Sequence, residues 1–227
     1  FLKPCTYLIS ALQINLRDQE YFKKLAEKKV NAIAFEFIID EYKQLSLVRL
    51  IGEIAGNISI LYAAELLALS NGLMLGGITG VRPTEVVILG AGIVGEFATK
   101  AALGLGASVK VFDNSLSKLR RLHMMVDGRV PTSIIDPKEL SKSLKRADVV
   151  IGALSKISLC PIVTEEMVSK MKKGSVIIDV TIDNGKVIET SELTDMEHPY
   201  IIKHGVIHCG LPNLTSKMPR TTTKAVS

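Results

Sequence analysis

The run Val86-Val-Ile-Leu-Gly90-Ala-Gly92-Ile93-Val94-Gly95, followed by Asp113 at the end of the next apolar stretch, carries the clearest chemistry in the chain. Glycines at these intervals after an apolar strand suit a phosphate-binding elbow. Gly90 permits the tight turn, Gly92 lets backbone approach a pyrophosphate, and Gly95 lets the helix pack closely on the strand. The helix N-terminus, with Ile93 and Val94 in its first turn, offers unpaired N–H groups and a positive dipole end to phosphates. Asp113 stands about twenty residues on, where an acid accepts hydrogen bonds from an adenosine ribose. Its negative charge disfavours a 2′-phosphate, so NAD is expected rather than NADP.

The elements around the elbow must place these groups. Strand Val86–Leu89, helix Gly92–Leu105, strand Val109–Phe112 and helix Ser115–Met125 alternate, followed by a short strand near Val130–Ile135 and helix Pro137–Lys145. Strand Val149–Ala153, helix Thr164–Met171 and strands Ser175–Val180 and Val206–Cys209 complete the pattern. Nearly all-apolar strands alternating with helices predict an α/β fold, a doubly wound parallel sheet covered on both faces. Ligands of such sheets sit at the carboxyl ends of the strands. That rule adds Ala153–Ser155, Thr181–Asn184 and Gly210–Leu214 to the elbow and Asp113 as candidate positions.

Upstream, Thr6–Ala11 reads as a strand, Asp18–Lys28 as an amphipathic helix and Val30–Ile38 as a second apolar run. This is the remnant of a second α/β domain. A long apolar helix opens at Gly52-Glu-Ile-Ala-Gly56, and the glycines at 76, 77 and 80 form a hinge. The expected organisation is residues 1–50 as a partial N-terminal domain, 51–75 as an interdomain helix, 76–215 as the Rossmann NAD-binding domain and 216–227 as a return segment. The chain begins at Phe1, without an initiator methionine, and reads as a fragment.

Composition narrows the function classes. Apolar residues make up 47% and charged residues 22%, and the net charge is +5. Lysines and arginines are dispersed in short clusters such as Lys28-Lys29 and Lys172-Lys173, which reads as solvated surface and points away from nucleic acid. Glu65, Ser70 and Asn71 interrupt Ile58–Gly77, so a buried or interdomain helix is expected there and no membrane span. Cys5, Cys160 and Cys209 are odd in number and lack metal-ligand spacing, which fits a reducing cytoplasm and no metal. His204 and His208 bracket the last strand and read as structural packing.

Taken together, Gly-Ala-Gly-Ile-Val-Gly (90–95), Leu-Gly-Ala (105–107), Asp113, Val-Thr-Glu-Glu-Met-Val (163–168) and Met-Lys-Lys-Gly-Ser-Val-Ile-Ile-Asp-Val (171–180) resemble the alanine dehydrogenase family. Ile-Asp-Asn-Gly (182–185), Lys-His-Gly-Val-Ile-His (203–208) and Pro-Arg-Thr-Thr-Thr (219–223) do so as well. That family shares its fold with the NAD-binding component of proton-translocating transhydrogenase.

The resemblance implies NAD-dependent oxidation of L-alanine to pyruvate and ammonia, by a homo-oligomer that is usually a hexamer. It also implies Asp183 as the acid/base beside the nicotinamide, although Asp-Asn-Gly is equally a ready turn-former. Lys118 falls at a family position near the adenosine half, and as a lone helix lysine it also reads as plain surface. Leu154, Ser155, Val180, Ile182, Leu211 and Leu214 would line the cofactor cleft, and Asn213 would hydrogen-bond substrate or carboxamide.

Three positions depart from the family. Ile9 stands where a catalytic histidine normally follows Tyr-Leu, Gly52 replaces a frequent serine, and Lys186 replaces a glycine. The family's carboxylate-binding arginine and lysine would lie upstream of Phe1. A transhydrogenase component is the main alternative, against which stand the compact helix after Asp113 and the pair Ile182-Asp183. A dinucleotide-binding module without turnover is the third.

Overall fold

The computed structural model describes residues 2–12, 18–154, 161–185 and 187–227. The chain divides into two compact units, one of residues up to Ile51 together with Ala225–Ser227, the other Gly52–Lys224.

In the first unit, β1 (Tyr7–Ser10) and β2 (Asn31–Ala34) pair in parallel, with α1 (Gln19–Glu27) between them in the chain. Asp18 caps α1 by accepting the Glu20 N–H, as expected of an aspartate that precedes an amphipathic run. The apolar stretch 30–38 is strand only to Ala34 and continues as a single 3-10 turn, Phe35–Phe37.

The second unit holds a seven-stranded sheet. Its strands are β3 (Glu85–Leu89), β4 (Ser108–Phe112), β5 (Thr132–Ser133), β6 (Val149–Gly152), β7 (Val176–Asp179), β8 (Ile201–Lys203) and β9 (Val206–Cys209). The order is β5-β4-β3-β6-β7-β9-β8. Six strands are parallel in the dinucleotide-binding sequence, and the chain reverses direction across the sheet between β3 and β6. The expected all-parallel sheet needs one correction. β8 pairs antiparallel with β9 at the edge.

Each strand sends alternate residues to opposite faces. Val86, Ile88, Val111, Ile151 and Ile178 join one core, with residues of α2 (Ser46–Asn71), α3 (Ile93–Gly104) and α4 (Leu116–Met125). Val87, Leu89, Phe112, Val150 and Ile177 join the other, under α5 (Pro137–Arg146) and α6 (Glu165–Ser169). A strand buried on both faces has no polar side to show, which is why these strands read as continuous apolar runs.

The helix predicted from Gly52 begins at Ser46. Gly52 and Gly56 do not start it; they lie inside it where α3 crosses. A Cβ on Gly56 would fall 2.4 Å from the Val94 carbonyl oxygen, and one on Gly52 would fall 3.2 Å from Ile93 Cγ2. The helix is long and apolar enough to cross a membrane by length and composition, and half of its most apolar window is buried within the protein. Its inward residues, including Ile60, Ala63, Leu66 and Leu67, are core.

Candidate dinucleotide site

The three elbow glycines serve three different ends. Gly90 follows β3 with φ +115°, a conformation that strains any side chain. A Cβ there would also stand 2.3 Å from the Ala153 carbonyl oxygen, where the end of β6 comes alongside. A Cβ on Gly95 would fall 1.8 Å from the Gly90 carbonyl oxygen, so the helix could not close onto its own strand. Gly92 differs. Its φ of −76° suits any residue, and a Cβ there would meet nothing within 4 Å among the described residues. Those residues give no reason for glycine at 92, whereas a ligand that must touch backbone gives one. No side chain caps α3, so its first N–H groups face the space in front of Gly92.

The elbow is braced from the next βα unit. Asp113 is buried, with 4% exposure, at the end of β4. Its Oδ2 accepts the Ala91 N–H at 2.8 Å and its Oδ1 accepts the Ser115 N–H at 2.7 Å. Arg121, on α4, donates from Nη2 to the Ala91 carbonyl at 3.3 Å. The same guanidinium lies 3.8 Å from Glu96, whose buried carboxylate also pairs with Lys100 at 2.8 Å. The two peptides that meet at Ala91 are therefore each held, one by Asp113 and the other by Arg121. Each Asp113 oxygen retains a second lone pair, so the carboxylate can still accept ribose hydroxyls while it orders the turn. Sequence reasoning assigned Asp113 to the ligand and did not foresee this second duty. Arg121 and Glu96 belong to no motif in the sequence; the one local signal is an acid in the first turn of the phosphate helix.

Other predicted residues fall around the same strand ends. Lys118 is half-buried in the first turn of α4, where its N–H meets Ser115 Oγ. Leu154 follows β6 and is partly buried against the core; Ser155 lies outside the described residues. Val180 donates its N–H to the Gly152 carbonyl, and Ile182 and Asp183 follow in a 3-10 turn, Ile182–Asn184, closed by Gly185 at φ +132°. Leu211 and Leu214 are buried beyond β9, and the Cβ position of Gly210 lies 3.2 Å from Ile182 Cγ1, which joins this loop to that turn. Asn213 is exposed in the left-handed conformation and accepts the Thr215 hydroxyl on Oδ1 at 2.6 Å.

The histidines take ordinary roles. His208 is fully buried, with Nε2 2.8 Å from Thr190 Oγ1 and Nδ1 3.0 Å from the Val206 carbonyl oxygen, and burial lowers its pKa. His204 lies in the turn between β8 and β9, its Nε2 2.7 Å from Glu165 Oε1. A groove of about 470 Å³ between α4 and the end of β5 is lined by residues including Leu116, Arg120, His123 and Ile134 and by none of the predicted cofactor-binding residues.

Comparison with known proteins agrees with this geometry. Residues 59–227 match the family model described as "Alanine dehydrogenase/PNT, C-terminal domain". Over 220 residues the chain is 38% identical to alanine dehydrogenase 2 of Staphylococcus aureus (strain USA300), covering 92% of this chain and 58% of that protein. A solved L-alanine dehydrogenase superposes with a TM-score of 0.91 at 33% identity, covering 99% of this chain and 63% of that one. A transhydrogenase from Sinorhizobium meliloti, 21% identical with a TM-score of 0.79, covers 96% of this chain and 64% of that one and shares the fold. The chain thus spans less than two thirds of the length of each.

Proposed function

This chain belongs to the alanine dehydrogenase/PNT family, and from that membership we propose that it supplies the NAD-binding half of an NAD-dependent alanine dehydrogenase. The observation that carries the reading is Gly92, a glycine whose missing side chain leaves room for a ligand and is filled by none of the described residues. The donor set fits the group. Free N–H groups at the start of α3 suit a pyrophosphate, and a carboxylate one strand over suits a ribose without a 2′-phosphate.

When bound, NAD takes up the hydride that leaves the α-carbon of L-alanine; hydrolysis of the resulting imine gives pyruvate and ammonia. The chain's own residues hold, shield and move protons. Gly90, Gly92, Ile93, Val94 and Gly95 seat the phosphates. Asp113 takes the ribose, with Lys118 beside the adenosine half. Leu154, Ser155, Val180, Ile182, Leu211 and Leu214 shield the cleft from water, and Asn213 donates to substrate or carboxamide.

Asp183 exchanges a proton with the substrate side in this reading, which is supported by its turn lying beyond the end of β7, where ligands of such sheets sit. Ile9, exposed on β1, has no proton to give, so proton transfer is assigned to Asp183. The compact α4 immediately after Asp113 supports a dehydrogenase over a transhydrogenase component. The same reading places residues 1–50 in the substrate domain, 51–75 in the interdomain helix, 76–215 in the cofactor domain and 216–227 in a return segment. It also places the protein in the cytoplasm as a homo-oligomer.

The test has two arms. NADH titrated into the 227-residue chain is expected to give saturable binding heat, and absence of heat removes the dinucleotide reading. The full-length polypeptide is expected to reduce NAD with L-alanine at alkaline pH. No alanine-dependent rise at the nicotinamide absorbance band removes the dehydrogenase reading and leaves a binding module.

A further inference from the structure

Asp179 has no part in the chemistry above, yet it is the least accommodated ionisable group in the unit. It ends β7, inside an otherwise apolar strand, with 1% exposure. It pairs in register with Gly152 of β6, and a Cβ on Gly152 would stand 3.0 Å from its Oδ1, so the neighbouring strand leaves space for this carboxyl.

Oδ1 accepts two bonds from one residue, the Thr181 N–H at 3.1 Å and the Thr181 hydroxyl at 3.3 Å. Oδ2 accepts no hydrogen bond of good geometry among the described residues; the buried Ser191 hydroxyl, which lacks one too, lies near enough to ease the carboxylate's charge. Among the described residues, the ionisable groups that face Asp179 are Asp183, from the turn that follows, and the Cys209 thiol, from β9. Neither is a cation. Burial raises its pKa most, the Thr181 bonds and the Ser191 hydroxyl oppose the rise, and the Asp183 charge adds to it, leaving the carboxyl pushed up to about 6.

A leucine or valine would serve the core better here, because a buried carboxyl that meets no cation among the described residues costs stability. Groups kept at such a cost collect at functional sites. What this one grips is Thr181, the second residue after β7, and the next two are Ile182 and Asp183.

We propose that Asp179 is a positioning residue: through its two bonds to Thr181 it fixes the turn that presents Ile182 and Asp183 to the cofactor crevice, and the protein tolerates a buried acid to obtain that order. The inference rests on Asp183 acting as the acid/base. It makes an unusual demand, that the fold and the turn respond in opposite directions when the acid is removed.

The test compares Asp179→Leu, similar in shape and unable to accept a bond, with Asp179→Asn, which keeps an acceptor for Thr181. In the 227-residue chain without cofactor, Asp179→Leu should raise the melting temperature at neutral pH. In the same variant, amide exchange at Thr181 and Ile182 should accelerate about tenfold or more, with β6 and β7 core amides no faster than before. Asp179→Asn should raise the melting temperature and leave Thr181 protected. In the full-length polypeptide, Asp179→Leu should lower kcat about tenfold with KM for NAD changed by no more than about twofold, and Asp179→Asn should restore most of kcat.

Unchanged Thr181 exchange and kcat in Asp179→Leu overturns the inference, and so does acceleration of every core amide together with a lower melting temperature. Should Asp179→Leu fail to fold, loss of Thr181 protection or of kcat in Asp179→Asn overturns it equally. The control is Asp183→Asn. Surviving turnover there removes the acid/base assignment and this inference with it, whereas lost turnover beside an unaffected Asp179→Leu removes this inference alone.

Discussion

The carboxylate of Asp113 accepts the backbone N–H of Ala91 at 2.8 Å, so the acid assigned to the ribose also sets the shape of the phosphate elbow. Affinity for the two ends of a dinucleotide is thereby linked through one side chain. Asp113→Ala removes a sugar contact and leaves the buried Ala91 N–H without its acceptor, which costs about 1–3 kcal/mol. We expect NADH affinity to fall by more than about tenfold and NADPH affinity to fall much less, with a lower melting temperature. Calorimetry with both cofactors and thermal unfolding check this; equal losses for both cofactors would contradict the ribose assignment.

The glycines separate folding from binding. Gly92→Ala should leave the melting temperature within a degree or two, roughly the noise of a surface change, because its Cβ meets none of the described residues within 4 Å. It should still cut NADH affinity by about tenfold or more, since the methyl occupies the path of the pyrophosphate. Gly95→Ala should do the reverse first, destabilising by several kcal/mol as its Cβ drives into the Gly90 carbonyl. Parallel melting curves and NADH titrations of the two variants decide the point.

Arg121 is half-exposed, and its loss should matter to binding more than to stability. In Arg121→Met the Ala91 carbonyl loses its donor and Glu96 retains only Lys100, leaving more negative charge in the first turn of α3. A two- to fivefold weakening of NADH, about what one screened contact is worth, with little change in melting temperature is expected. The difference from wild type should shrink as salt is raised.

Stability should carry the signature of Asp179. Its folded pKa of about 6 lies above the ordinary 3.8, so the folded state binds the proton more tightly. Its contribution is favourable in full below about pH 3.8 and is lost as pH rises through about 6. Asp179→Asn should therefore gain up to roughly 3 kcal/mol over wild type at neutral pH and nothing at acid pH. Urea unfolding at several pH values measures the difference, and a gain that does not vary with pH would refute the assignment.

Much of this was legible in the residues. The alternation of apolar runs with amphipathic helices gave the doubly wound sheet because its strands are buried on both faces. Gly90 and Gly95 announced themselves because glycine followed by a helix has few structural uses. What escaped were features that depend on distant packing. Gly52 and Gly56 mimic a helix start until α3 is seen crossing them. β8 is three residues long and partly exposed, too short for a pattern of its own. β5 shrinks to Thr132–Ser133 from the longer apolar run, whose remaining residues serve as connections. Asp179 was visible as an acid closing an apolar strand, but its grip on Thr181 depends on the path taken after β7. Asn213 gave no hint of its left-handed backbone, although asparagine is the residue that most readily adopts it after glycine.

The two ends of the seven-stranded sheet bear on how this protein behaves when crowded. β5 ends one side with two residues, and β8 closes the other by running backwards for three, with Lys203 at its tip. Neither border gives an incoming polypeptide a ladder long enough to extend, and the lysine penalises any that tries. The sheet is therefore self-limiting. Pairing of folded copies border to border through this sheet is thereby disfavoured.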